Sequence, residues 1–461
     1  MTTIEVLHED VLLEIFDFYR LDAMDRSQER PWRWHRLAHV CRKWRQVIFR
    51  SPRRLELRIL CDSGAPIGSI LASWPTLPLV AKLYAGRTSE RIPRNVMVAL
   101  RRPDRLCEID LHVTSSMFTS IVGVTQKSCR ALESIRITVD VPGPSILVRS
   151  AFLGGSAPHL REIKLDGIAF PFSSIKQVLL STNNLVELHL SKIPDDAYFS
   201  PNDLVTTLAT LAQLKRLTVD YHSPASFPPP SKTRPPPKRT TLPCLHSLEF
   251  YGVSAYLEEF VARIDSPALC KIAIRLFNDI IFEIPQFCEF IARLDVLKSP
   301  TWALVRHSVE FVGILFFQEG KPLSENCFLG TSCRQLDWQL SFVTQILSQL
   351  SPHLSNVHSL GIQSDEYTSW LPWAGLGDVD STQWLELFQP FTHVTKVYVR
   401  AEQFVQGITL ALVAEEMTAE VLPELTSLFL SGCHEWSAFV ANARRFATTR
   451  ELSGHTVSLF Y

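Results

Sequence analysis

Ten times along this chain apolar side chains recur at the first, fourth and sixth positions of a hexad. Leu106, Ile109 and Leu111 are followed by Leu132, Ile135 and Ile137, then by Leu160, Ile163 and Leu165, and by Leu185, Leu188 and Leu190. The series runs on through Leu214, Leu217 and Val219, Leu245, Leu248 and Phe250, and Leu269, Ile272 and Ile274. After a gap come Val357, Leu360 and Ile362, Val394, Val397 and Val399, and Leu425, Leu428 and Leu430. The first seven hexads begin 24 to 31 residues apart. Apolar residues two apart share one face of a strand, so each hexad predicts a short strand with one buried side.

The stretches between hexads carry helical spacing instead. Ile175, Val178 and Leu179 fall on one face behind Ser173 and Ser174, and Leu204, Leu208 and Leu211 do the same over 203–211. Residues 260–264 and 338–350 read similarly. Strand followed by helix at a near-constant period implies parallel strands with right-handed crossovers, hence an α/β fold. Between 280 and 350 the pattern fades. Pro285 marks a helix start, 302–312 mixes alternation with a continuous apolar run, and the interval from Leu269 to Val357 has room for two degenerate repeats.

The first fifty-odd residues differ. Leu12, Ile15, Phe16 and Tyr19 predict one amphipathic helix; Leu37, Val40, Cys41, Trp44 and Ile48 predict a second. Two short helices bury little surface by themselves, so their stripes require the following domain or another protein to cover them.

Composition narrows the class. The chain has 461 residues, 46% of them hydrophobic and 20% charged, with a formal net charge of −1. That length suits two or three units or one extended repeat array, and the charge argues for neither nucleic acid nor membrane. The start lacks a signal-peptide pattern, and the longest apolar run, Phe311 to Phe317, is far short of the roughly 20 residues of a membrane span. A cytoplasmic and/or nuclear protein is therefore expected. Ten cysteines without a Cys-x-x-Cys pair, among them Cys107, Cys129, Cys244, Cys270 and Cys288, read as reduced core thiols.

Motifs of catalysis are missing: no phosphate loop, dinucleotide fingerprint, His-Glu-x-x-His or nucleophile elbow occurs. Cys433 and His434 are adjacent on an expected turn, which does not orient a nucleophile toward its base. Asp378, Asp380 and Glu386 near Trp370, Trp373 and Trp384 read as a loop lidding the core. No enzyme activity, cofactor or metal is expected. Pro224 to Pro243 holds eight prolines in twenty residues together with Lys232, Arg234, Lys238 and Arg239, and reads as a loop that is neither strand nor helix. Arg30 to Arg58 holds ten Lys or Arg against the single acid Glu56. With Arg36, Arg42, Lys43 and Arg45 on the polar side of one helix, it reads as a solvated face or one meeting an acidic partner, rather than the broad basic field that phosphates need.

Taken together, Leu7, Ile15, Phe16, Val40, Cys41, Arg42 and Trp44 resemble an F-box, the adaptor-docking module of cullin-type ubiquitin ligases. The resemblance covers residues 5 to about 57 and is greatest to the F-box-like proteins of mushroom-forming fungi. His8 stands where that family usually has Pro, and 21–32 is a charged insert. The hexads resemble leucine-rich repeats of the irregular kind, lacking the Asn or Cys that pins the loop of regular repeats. Together they imply an F-box-like module at 1–58, a connecting segment and solenoid cap at 59–100, and a leucine-rich-repeat-like solenoid at 101–461 with its Pro-rich loop at 224–243. They further imply a substrate-recognition adaptor that binds a Skp-type adaptor, through it a cullin scaffold, and a protein target, with no nucleic acid or membrane partner. Leu7, Ile15, Phe16, Leu37, Val40, Cys41 and Trp44 are the expected adaptor-binding residues, undivided between docking and the module's own core. The competing expectation is an interaction scaffold whose first helices only cap the repeats.

Overall fold

The computed structural model describes residues 7–26, 37–51, 57–62, 68–73, 76–84, 92–140, 152–168, 170–194, 197–224, 227, 239–277, 283–294, 300–308, 310–321, 326–332, 336–364, 381–400, 402–414, 421–430 and 437–460. The chain divides into two compact units, Met1–Leu185 and Val186–Tyr461. Both are mixed α/β.

In the first unit, strands β1 (Ile59–Cys61), β2 (Leu79–Tyr84), β3 (Leu106–Thr114), β4 (Ser134–Asp140) and β5 (Glu162–Asp166) lie side by side in chain order, each parallel to the next. Ile109, Ile135 and Ile163 are in register, as are Leu111, Ile137 and Leu165, so apolar rows run across the strands. Helices Arg94–Leu100 and Ser115–Val124 occupy two of the crossovers, and Phe172–Ser181 follows β5. Between β4 and β5 the turn Phe152–Gly155 holds Leu153 and Gly154 at positive φ. A Cβ on Gly154 would lie 2.5 Å from the Ser128 amide nitrogen, so only glycine fits there.

In the second unit, β6 (Glu187–Ile193), β7 (Arg216–Tyr221), β9 (Ser247–Gly252) and β11 (Lys271–Phe277) run parallel. The short β8 (Thr240–Thr241) and β10 (Ile264–Asp265) pair separately, so the end of the Pro-rich segment does form a strand, against expectation. The rest of that segment lies outside the described residues, apart from Pro224, Phe227 and 239–243. At the other end β15 (Ser359–Ser364), β16 (Lys396–Arg400), β17 (Ser427–Leu430) and β18 (Ser458–Phe460) are again parallel.

Between these groups the two degenerate parallel repeats expected over 280–350 do not occur. The chain places β12 (Trp302–His307) beside β15, turns back into β13 (Phe311–Phe317), and ends with β14 (Cys327–Ser332) beside β11. The order is β11, β14, β13, β12, β15, with both inner pairings antiparallel. Ser308 explains the first reversal. Its amide donates to the Phe311 carbonyl at 2.7 Å and its hydroxyl accepts from the Phe311 amide at 3.1 Å, closing a loop too short for a parallel crossover.

Every fourth and sixth hexad residue lies on a strand, and all thirty hexad side chains are buried. Backbone hydrogen bonds pin the loops, joined at Cys107, Cys270, Thr395 and Thr426 by side chains that donate to a carbonyl of the preceding repeat. The amides of Leu132, Leu160, Leu214, Leu245, Leu269, Val357 and Leu425 each donate to a carbonyl three residues back. The next amide then reaches sideways to the neighbouring repeat, as in Glu133 to Cys107, His246 to Lys215 and Thr426 to Thr395. The helix expected behind Ser173 starts at Phe172 with Pro171 as N-cap, so those serines are not caps; Ser200 does cap Pro201–Leu208, accepting from Asp203 at 3.1 Å. Residues 254–261 rather than 260–264 form the helix before β10, while Pro285–Ala292 and Leu336–Leu350 lie where expected. Among the described residues no helix is long and apolar enough to cross a membrane, and no group of three His, Cys, Asp or Glu is placed to hold a metal ion.

Candidate docking surface on the N-terminal helices

Helix Glu9–Arg26 begins with two acids in its first turn, where the peptide dipoles favour negative charge. Just ahead of it the His8 ring accepts from the Asp10 amide at 3.4 Å, so an imidazole stands where Pro would give up its N–H. The second helix is shorter than its stripe suggests. It runs Arg42–Arg50, with Cys41 in extended backbone as N-cap, its thiol accepting from the Trp44 amide at 3.4 Å. Leu37 and Ala38 are helical in a separate segment, divided from it by the turn at His39 and Val40, because the cap breaks the helix.

The two helices are tied by an aromatic contact and by cations. Phe16 and Trp44 meet edge to face, 4.9 Å between centroids. Lys43 donates to the Leu7 carbonyl at 2.9 Å, Arg45 to the Ala38 carbonyl at 2.9 Å, and Arg50 reaches Glu9 at 3.5 Å. Three of the ten basic side chains of this segment thus make contacts within the module.

The seven expected docking residues separate. Phe16 is buried with Leu12, Leu13, Ala38, Val47 and Ile48, while Leu7, Leu37, Cys41 and Trp44 are half-buried. The Trp44 indole N–H is out of solvent and has no hydrogen-bond partner among the described residues. Ile15 and Val40 point outward, 42% and 57% exposed. The expected stripe through Ile15 is therefore corrected: Leu12, Leu13 and Phe16 form the inner face. Val11 and Phe18, which the sequence reading passed over, are 46% and 72% exposed. Val11, Ile15 and Phe18 stand at i, i+4 and i+7, an apolar row one step round the helix from the buried one. Its signal was a helix with more apolar positions than one face can use.

The strands of the first unit offer a different surface. On and beside these strands polar side chains pair across neighbours: Arg58 with Glu108 at 3.4 Å and Glu133 at 2.8 Å, Arg136 with Glu162 at 2.7 Å, and the His112 ring with Asp140 at hydrogen-bond distance, 3.1 Å. Glu162 is partly desolvated, which raises its pKa, yet hydrogen bonds from Arg136, Lys164 and Ser134 outweigh this and hold it down at about 2. Burial pushes the thiols of Cys107 and Cys129 up to about 11, which suits inert core thiols rather than nucleophiles. Cys433, His434, Asp378, Asp380, Trp370 and Trp373 lie outside the described residues; Trp384 is fully buried against His307.

No protein-family model matches the chain, and no curated protein matches it.

Proposed function

We propose that this chain is the substrate-recognition subunit of a Skp-cullin-F-box type ubiquitin ligase, without catalytic chemistry of its own. Its N-terminal helices dock a Skp-type adaptor, and its leucine-rich-repeat-like strands hold a target protein. The observation that carries this reading is the apolar row of Val11, Ile15 and Phe18 with Val40, left exposed beside a core already closed by Phe16 and Trp44. A helix that served only to cap the repeats would have no use for that row. These side chains are already partly covered, so burying the rest of each on association recovers roughly half of the 1.5–3 kcal/mol of a whole large apolar side chain. The remaining support is the F-box-like residue pattern itself. The adaptor would link to a cullin scaffold, and the contribution to ubiquitin transfer would be to position the target.

The test is co-purification of the full chain with a Skp-type adaptor, beside a Val11→Asp, Ile15→Asp variant whose folding is checked by thermal denaturation. A one-to-one complex that the folded variant fails to form supports the reading. A well-folded wild-type chain that captures no adaptor sinks it and leaves the interaction scaffold.

A further inference from the structure

The strands that close the second unit differ in chemistry from those that open it. β6, β7 and β9 carry Glu187, Asp220 and Glu249, whereas the eight main-sheet strands from β11 onward carry no acid at all. They carry Lys271, Arg275, Arg306, Lys396 and Arg400 instead. Lys271 is paired with Glu249 at 2.6 Å, and Arg275 lies over the rings of Tyr251 and Phe311 at 5.5 and 5.2 Å. Lys396 and Arg400 are exposed and have no ionic partner among the described residues.

Between these two cations runs a row of stacked rings. Phe317 stacks on Trp302 with centroids 5.6 Å apart, Trp302 on Tyr398 at 5.0 Å, Tyr398 on Phe429 at 4.5 Å and Phe429 on Phe460 at 4.5 Å. The spacing is that of neighbouring strands, since Tyr398, Phe429 and Phe460 are in register. One strand, β15, interrupts the row and contributes Gly361, in register with both Leu304 and Tyr398. A Cβ there would lie 2.7 Å from Leu304 and 3.6 Å from the Trp302 ring, so the glycine lets Trp302 reach Tyr398 across it. All five rings are on the face opposite the buried hexad residues. None is fully buried, and Phe460 is exposed.

The stacking decides what can bind. Each inner ring has both faces covered by its neighbours, so only edges look outward. Nucleobases bind such surfaces by stacking on open ring faces, which the inner rings lack. Ring edges carry the positive part of the aromatic quadrupole and, with Lys396 and Arg400 two residues either side of Tyr398, make a cationic rim around an apolar centre. Trp, Tyr and flanking Arg are also the composition of protein-binding hot spots. We infer that this face of the second unit is the target-binding surface and takes an acidic, extended polypeptide segment with Asp or Glu meeting Lys396 and Arg400. Those two lie about 13 Å apart along the strand, which matches acids roughly four residues apart on an extended chain.

This specifies the target half of the reading above and rests on it, but it is testable without the adaptor. The full chain is titrated into a fluorescein-labelled twelve-residue peptide with Glu four residues apart around a central Trp-Pro pair, and anisotropy is read at 50 and 300 mM salt. The same titration is made with Lys in place of each Glu, and with a single-stranded oligonucleotide. Saturable binding of the acidic peptide is expected, weakened at least tenfold by Lys396→Glu with Arg400→Glu and by Tyr398→Ala, each checked for an unchanged melting transition. Acidic-peptide binding no tighter than that of the Lys peptide, binding indifferent to the charge reversals, or a preference for the oligonucleotide would each overturn the inference. Adaptor capture by the charge-reversed variant, measured in parallel, is expected to be unchanged, so failure here is separable from failure of the docking proposal.

Discussion

Phe16 and Trp44 stand 28 residues apart in sequence and meet edge to face, at 63° between ring planes, where the two N-terminal helices pack together. Both were expected among the adaptor-binding residues, and this contact assigns them to the inside of the module. Ile15, adjacent to Phe16 in sequence, takes the outside.

From that division, Phe16→Ala should cost about 3–5 kcal/mol in urea unfolding of the first unit, the usual loss for a buried Phe. Ile15→Asp should cost well under 1 kcal/mol, since surface changes rarely exceed that. Trp44→Phe should be close to neutral despite removing the nitrogen, because the indole N–H it deletes is buried without a partner among the described residues. If Ile15→Asp destabilises as much as Phe16→Ala, the outward row is part of the core.

A buried histidine ties the second unit to pH. His307 is fully buried; desolvation lowers its pKa to about 4, against the raising effect of the hydrogen bond that its Nδ1 donates to Gln339 Oε1 at 3.2 Å. The unfolded chain binds its proton near the ordinary value of about 6.5, the folded one only near 4. Stability is therefore complete above the unfolded value and falls as pH drops toward 4, by on the order of 3 kcal/mol, with no further contribution below. Urea midpoints measured across that window should slope in the wild type and be flatter in His307→Asn. Equal slopes would place the titrating group elsewhere.

Glu258 caps a helix it does not belong to. Its two carboxylate oxygens accept from the Gln286 and Phe287 amides, each at 2.8 Å, at the start of Pro285–Ala292, where Ile284 supplies no side-chain cap. Glu258→Ala should cost about 0.5–2 kcal/mol, the range for a lost N-cap, and should raise amide exchange at Phe287. Unchanged exchange there would mean that water replaces the carboxylate without loss.

The antiparallel insert depends on a pair of glycines. Gly313 and Gly330 face each other across β13 and β14, and the Phe328 ring lies over both. A Cβ on Gly313 would sit 2.4 Å from that ring and 3.0 Å from the Leu329 carbonyl oxygen. Gly313→Ala should cost about 1–3 kcal/mol, the range for overpacking. Adding Phe328→Ala should give back part of it, in a double-mutant cycle read by thermal unfolding. Strict additivity would exclude the ring as the obstacle.

The parallel strands were legible because burial on one strand face is a local property with a period of two. Each hexad states its buried side within six residues, and every one of the thirty positions obeys it. Helices Pro201–Leu208 and Leu336–Leu350 were legible for the same reason at the helical period. β1 and β2 were not, because they carry no hexad, and the reversal through β12, β13 and β14 was hidden because an apolar run such as Phe311 to Phe317 has the same pattern in either direction.

The sequence by itself determined the ten hexad strands, which of their residues are buried, and several of the helices between them, such as Pro285–Ala292 and Leu336–Leu350. Those follow from local periodicity and side-chain chemistry. Tertiary structure alone decided that Phe16 is inside while Ile15 and Phe18 are outside, that the chain doubles back between β11 and β15, and that Trp302, Tyr398, Phe429 and Phe460 form one row between Lys396 and Arg400. The reason is geometric: a helix with apolar residues on more than one side cannot say which side its neighbour covers, and rings far apart in sequence stack only once strand order and register bring them within 5 Å.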